Sequence, residues 1–209
     1  LQRAPVLPPR DPIAAPTPSF NRHVVALLDE YPAGGFGGYA WPSAPGASGT
    51  TRDLAVGDTV VARSGPGNHC VGVTLEVFWR ALAACPGEFA LDAASAKRLK
   101  TTWYVPEDGG TGAIEALLAH RLGERVALDD ALPGDFVQAW STSGLGHSMV
   151  FLGWTRDATG TITGIRYWSS QPWTDGIGIA ETPIGDAGTE PAAIGFDRAQ
   201  VYVARAACR

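Results

Sequence analysis

The side chains with most capacity for covalent chemistry are three cysteines and four histidines, in a chain of 209 residues. Residues 67–79, GNHCVGVTLEVFW, place Cys70 just past a glycine–asparagine turn, at the start of an amphipathic run. At about 100° per residue, Val71, Leu75, Phe78, Leu82 and Cys85 fall on one stripe, with Glu76 and Arg80 opposite. The pattern predicts a helix over about 69–85 with Asn68 as its N-cap. First-turn N–H groups and the helix dipole favour a thiolate at Cys70, which is expected to lower its pKa below about 8.5. A small buried residue at a helix end fits the same spacing, and both readings stand at this point.

A thiolate nucleophile needs a base. His69 is adjacent to Cys70, and neighbours one apart on a helix do not face each other. His120 lies off the apolar stripe of Ile114, Leu117 and Leu118, and His23 follows a proline-rich stretch, so both read as surface residues. His147 follows SGLG and opens a strand of mostly apolar side chains, HSMVFLGW, which makes it the best base candidate. A hairpin across the turn DATG (157–160) brings the strands from 147 and 161 together. The partner of His147 then falls in SSQPW (169–173), where Ser169 and Gln171 share one face. Gln171 has the reach to accept from a ring N–H through its amide oxygen and is preferred to Ser169. The three scattered cysteines suit no zinc site, and Asn68 excludes a serine-type nucleophile elbow, so no metal and no cofactor are expected.

The elements that must position these residues are legible in outline. The first twenty residues carry Pro5, Pro8, Pro9, Pro12, Pro16 and Pro18 and read as an extended tail, leaving 21–209 as one domain. Helices are expected at 21–32, 69–85, 92–101 and 111–123, with a glycine-rich loop from 33 to 51. Strands are expected at 57–63, 134–140, 147–154, 161–170 and 198–206. Helices first and strands later predict an α+β domain with an antiparallel sheet. Apolar residues make up 45% of the chain and charged ones 18%, as in globular proteins. A net charge of −5 argues against a nucleic-acid partner, and no apolar run approaches the roughly 18 residues of a membrane span.

Cysteine at a helix start, the strand PGDFVQAW, a glycine-preceded histidine opening HSMVFLGW and a polar residue on the next strand together resemble the NlpC-type peptidases. These are papain-like cysteine enzymes of bacterial cell-wall metabolism. HCVG around Cys70 matches the family's DCSG, Pro133, Gly134 and Asp135 match its PGD turn, and its strand histidine falls on His147. YWSSQPW resembles the papain pattern in which an Asn-Ser-Trp follows Tyr-Trp, with Gln171 standing for asparagine. His69 and Val71 depart from the family's aspartate and serine, and the family's upstream tyrosine is displaced to Tyr39. The resemblance covers about residues 67–180. It implies a papain-like fold and a cysteine hydrolase that cleaves an amide in a peptide or muropeptide. Cys70 would attack, His147 act as base and Gln171 orient it, with Trp41, Trp173 and Tyr39 lining the cleft. An acyltransferase on the same triad and a binding module without turnover are the alternatives.

Cys70 and Cys85 lie too far apart on one helix to pair, since a disulfide needs Cα atoms within about 7 Å. Cys85 ends the helix on its core face and Cys208 lies just past the final strand, so these two are expected to form a bridge that leaves Cys70 free. The proline-rich stem and that bridge suit a secreted or periplasmic protein.

Overall fold

The structure, a computed structural model, describes residues 19–85, 91–104, 110–186 and 195–208. Most of the proline-rich tail lies outside the described residues. Its expected boundary moves, because helix α1 (Ser19–Leu28) already includes Phe20, which is buried and stacks on Phe78 at 5.6 Å. A two-stranded hairpin follows, β1 (Leu54–Val56) with β2 (Thr59–Ala62). Then come three helices, α2 (Cys70–Ala83), α3 (Ala93–Trp103) and α4 (Ala113–Ala119). The helix expected over 111–123 stops early, because Arg121 takes a positive φ of 56° and Gly123–Val126 leaves as strand β3.

The remaining strands are β4 (Phe136–Trp140), β5 (Gly146–Arg156), β6 (Ile162–Gln171), β7 (Gly176–Gly185), β8 (Phe196–Asp197) and β9 (Val201–Ala206). With β3 they form one sheet in the order β3-β9-β4-β5-β6-β7-β8, antiparallel except for β7 with β8. The protein is thus mixed α+β, with a cysteine-bearing helix on a largely antiparallel sheet. Strand β7 has no counterpart in the sequence reading, because GIGIAETPIG contains three glycines and a proline and no clean alternation.

Alternation along the strands gives the sheet two apolar faces. Phe136, Val150, Trp168 and Ala204 face the helices. Val137, Met149, Phe151, Tyr167 and Val203 face a second core closed by Phe196 and Ile184. Helix α2 is central to the first core. Phe78 meets Phe20 of α1, Trp103 of α3 and Phe136 of β4, the last two at 5.0 and 5.9 Å.

The expected solvated side of α2 is therefore overturned at Glu76, which is fully buried. A buried carboxylate is tolerable only when its lone pairs are met. Glu76 accepts from Tyr31 Oη (2.8 Å), Thr51 N (2.6 Å) and Thr51 Oγ1 (2.7 Å), and pairs with Arg52 Nε at 3.0 Å. Those bonds fasten the segment that runs past the start of α2.

At the opposite end, the turn before β4 is anchored by a buried Asp135. Asn21 Nδ2 and Arg205 Nη2 donate to its two oxygens at 2.7 and 2.8 Å.

Cys85 and Cys208 form the expected disulfide, with Cα atoms 5.4 Å apart, and Cys70 is the free cysteine. The bridge joins the end of α2 to the tail after β9 across 123 residues. Closing a loop of that length stabilises by about 4–5 kcal/mol in the chain-entropy model. The double change Cys85→Ser and Cys208→Ser is expected to lower the urea-unfolding free energy by up to that amount. Without reductant, thiol titration of the denatured wild-type protein should find one group per chain, and three would exclude the bridge.

Candidate active site

The hairpin between β5 and β6 brings the candidate residues together. Val150 faces Trp168 and Phe151 faces Tyr167, so three further steps along the ladder bring position 147 level with 171. The two strands do not pair over those steps. There β5 stays with β4 (Ala139 opposite His147) and β6 stays with β7 (Gln171 opposite Gly176). The sheet divides at this point, and the start of α2 meets the division. The backbone N–H of Ser148 reaches the Cys70 sulfur, as do the N–H groups of Cys70 and Val71 from the first helical turn.

A buried hydroxyl chain holds that contact. Thr74 Oγ1 donates to Cys70 O (2.9 Å), so it accepts from Ser148 Oγ (2.9 Å) and from Trp103 Nε1 (3.3 Å). From the other side, Ser169 Oγ donates to Ser148 O at 2.7 Å. The Ser169 hydroxyl is thus committed to the β5 backbone rather than to His147.

Gln171 is placed differently. Thr174 Oγ1 donates to Gly176 O at 2.6 Å, so the Gln171 atom 2.7 Å from it must be the donor Nε2. That leaves the amide oxygen for the imidazole. His147 Nε2 and Gln171 Oε1 are both buried without a hydrogen-bond partner among the described residues. Gln171 nevertheless lies close enough to pull the His147 pKa upward against its burial. The contact is a loose one.

The expected N-cap, Asn68, is corrected to His69. His69 has extended backbone, and its Nδ1 accepts from Gly72 N at 3.3 Å. Its Nε2 must then carry the ring proton and donate to Ser43 Oγ at 2.8 Å. Asn68 instead donates to Gly35 O and Phe36 O, and its backbone bridges Tyr39. That bridge brings the displaced Tyr39 to the thiol. After burial, charge on the Cys70 sulfur is the next cause raising the pKa of both Tyr39 and Tyr104. The sequence does not signal these two roles, because histidine is a rare capping residue and Tyr104 arrives only through α3 packing.

Trp41 packs edge-on against His69 at 4.8 Å, and Trp173 lies 6.0 Å from the His147 ring. Of the two candidate cleft residues, Trp173 thus lies by the His147 ring and Trp41 by the helix cap. Among the described residues, no cluster of three or more His, Cys, Asp or Glu could hold a metal. A concavity of about 570 Å³ between α1 and β5–β7 is lined by none of Cys70, His147 or Gln171. Neither a family model, a curated protein nor a solved structure matches this chain.

The electrostatics overturn one expectation. Burial pushes the Cys70 thiol above its ordinary 9.0, and the three backbone N–H groups only partly oppose it. Burial lowers both His147 and His69 to about 4. The resting pair is a neutral thiol beside a neutral imidazole. Alkylation of Cys70 by iodoacetamide should therefore still accelerate above pH 9, whereas a plateau between pH 6 and 8 would indicate a standing ion pair.

The same shifts affect stability. Both folded values lie below the unfolded 6.5, so between pH 6.5 and 4 the unfolded chain binds more protons. Stability is present above that window and is lost as pH falls through it. Each histidine should cost about 2 kcal/mol between pH 7 and 5. Urea unfolding at both pH values checks this, and His147→Gln should remove about half of the loss.

Proposed function

We propose that the protein is a cysteine hydrolase that cleaves an amide bond in a peptide, with a papain-like, NlpC-type arrangement of its site. The observation that carries the reading is one division in the sheet, where the helix-start thiol lies by Ser148, next along β5 from a buried neutral imidazole that shares the place with an unpartnered amide oxygen. A neutral imidazole is the protonation state that a general base requires. His147 takes the thiol proton as the sulfur attacks the carbonyl, and then delivers it to the leaving amine. The imidazolium formed in between is costly in a buried site, and Gln171 Oε1 offsets that cost by accepting from Nε2. A loose contact suffices at rest, because it tightens when the ring is charged. The Cys70 backbone N–H, released from the sulfur as that attacks, and the Tyr39 hydroxyl would supply donors for the developing oxyanion. Peptidoglycan-type peptides are the substrate class that the resemblance implies. The disulfide favours an oxidising, extracytoplasmic compartment, and no described helix is long and apolar enough to cross a membrane.

Purified protein assayed on stem peptides and simple acyl amides tests the reading. Cys70→Ala and His147→Ala should abolish turnover. A hydrogen bond to a charged group contributes about 1.5–3 kcal/mol, so Gln171→Ala should lower kcat by about 10- to 100-fold. Ser169→Ala should act chiefly on stability. A larger kcat loss from Ser169→Ala than from Gln171→Ala would reject the assigned roles.

A further inference from the structure

Among the described residues, the most exposed large apolar side chains are Leu145 (73%), Trp173 (64%) and Trp41 (62%), while Phe36, Val60 and Leu118 do not exceed 41%. Each lies near the candidate residues, in contact with a neighbouring ring or close along the chain. Trp41 lies against His69, beside the nucleophile, and Trp173 lies against His147. Leu145 precedes His147 by two residues.

The backbone segments that carry the side chains on the base side are held in place. Leu145 N donates to Ser141 Oγ (3.1 Å) and Ser141 N donates to Leu145 O (3.0 Å), which closes the turn before β5. Trp173 sits in the 3₁₀ turn Pro172–Thr174, closed by Asp175 in the left-handed region, and its side chain lies close enough to Tyr167 to lower the phenol pKa slightly against its burial. Fixing large apolar groups in water gains nothing for the isolated fold, and clustered exposed apolar groups mark binding sites.

Their position says which part of a substrate they meet. The leaving amine receives its proton from His147 and so must lie on the His147 side of the cleft. We propose that the substrate carries a large uncharged apolar group, aliphatic or aromatic, on the leaving-amine side of the scissile bond, held between Leu145 and Trp173. The proposal rests on the cysteine-hydrolase reading and narrows its substrate class. Asp175, two residues from Trp173, adds a negative charge that opposes a carboxylate at the same place.

Alkylation by N-substituted chloroacetamides tests this without a known substrate. The Cys70 sulfur forms a bond to the methylene carbon as chloride leaves, and the thiol proton passes to His147. The N-octyl, N-benzyl and N-carboxymethyl compounds are compared, each rate divided by that with a small free thiol. One or both apolar probes should label wild type about tenfold faster than the carboxymethyl probe. The double variant Leu145→Ser with Trp173→Ser should bring that ratio near one, and Val60→Ser on β2 should keep it. A lead for octyl identifies an alkyl chain as the source, and a lead for benzyl an aromatic side chain. A wild-type ratio near one, or a preference that survives the double variant and is lost only in Trp41→Ser, overturns the proposal. If neither these probes nor iodoacetamide label Cys70, the nucleophile reading itself fails and takes the proposal with it.

Discussion

Burying the first turn of α2 is the constraint on which the site depends. A helix start has free N–H groups, and in a dry interior each needs an acceptor. Here the acceptors are His69 Nδ1 and the Cys70 sulfur. Close approach of the preceding loop completes the burial, and glycine alone permits it at two positions. A Cβ on Gly49, which has φ +65°, would stand 2.1 Å from the His69 ring, and one on Gly72 would stand 2.1 Å from Gly49 O. Tyr104 reinforces the same loop by donating to Ser48 O. The cap, the loop and the thiol environment are thus one packing unit.

That unit sets the chemistry. Desolvation penalises both charged forms, thiolate and imidazolium, and only uncharged donors and acceptors oppose it. The pair therefore rests neutral, and in the proposed hydrolysis charge would appear only as the proton is transferred. Division of the sheet at β5 and β6 makes the arrangement possible. It directs the Ser148 N–H at sulfur, and Thr74 and Ser169 secure Ser148 from the two sides. The neutral state also serves the cap, since protonating His69 Nδ1 would remove the acceptor for Gly72.

Local signals carried much of the outline. Cys70 at a helix start, strands β4, β5, β6 and β9, and the β5–β6 hairpin register all follow from periodicity and turn residues, which act over a few positions of the chain. Helix length likewise excluded a Cys70–Cys85 bridge. These features depend on what each segment does by itself or with its nearest neighbour, so the amino-acid order determines them directly.

Tertiary structure decided the rest. Strand β7 forms because β6 offers it a partner, despite its glycines. Glu76 turns inward because Tyr31, Thr51 and Arg52 arrive from elsewhere to satisfy it. Ser169 is spent on Ser148 O, and Gln171 is left to the imidazole, because a neighbouring threonine fixes the amide orientation. The direction of the Cys70 shift was beyond the sequence for the same reason. A helix start favours a thiolate, but the magnitude of desolvation depends on how many other elements close over the sulfur, and only the assembled fold supplies them.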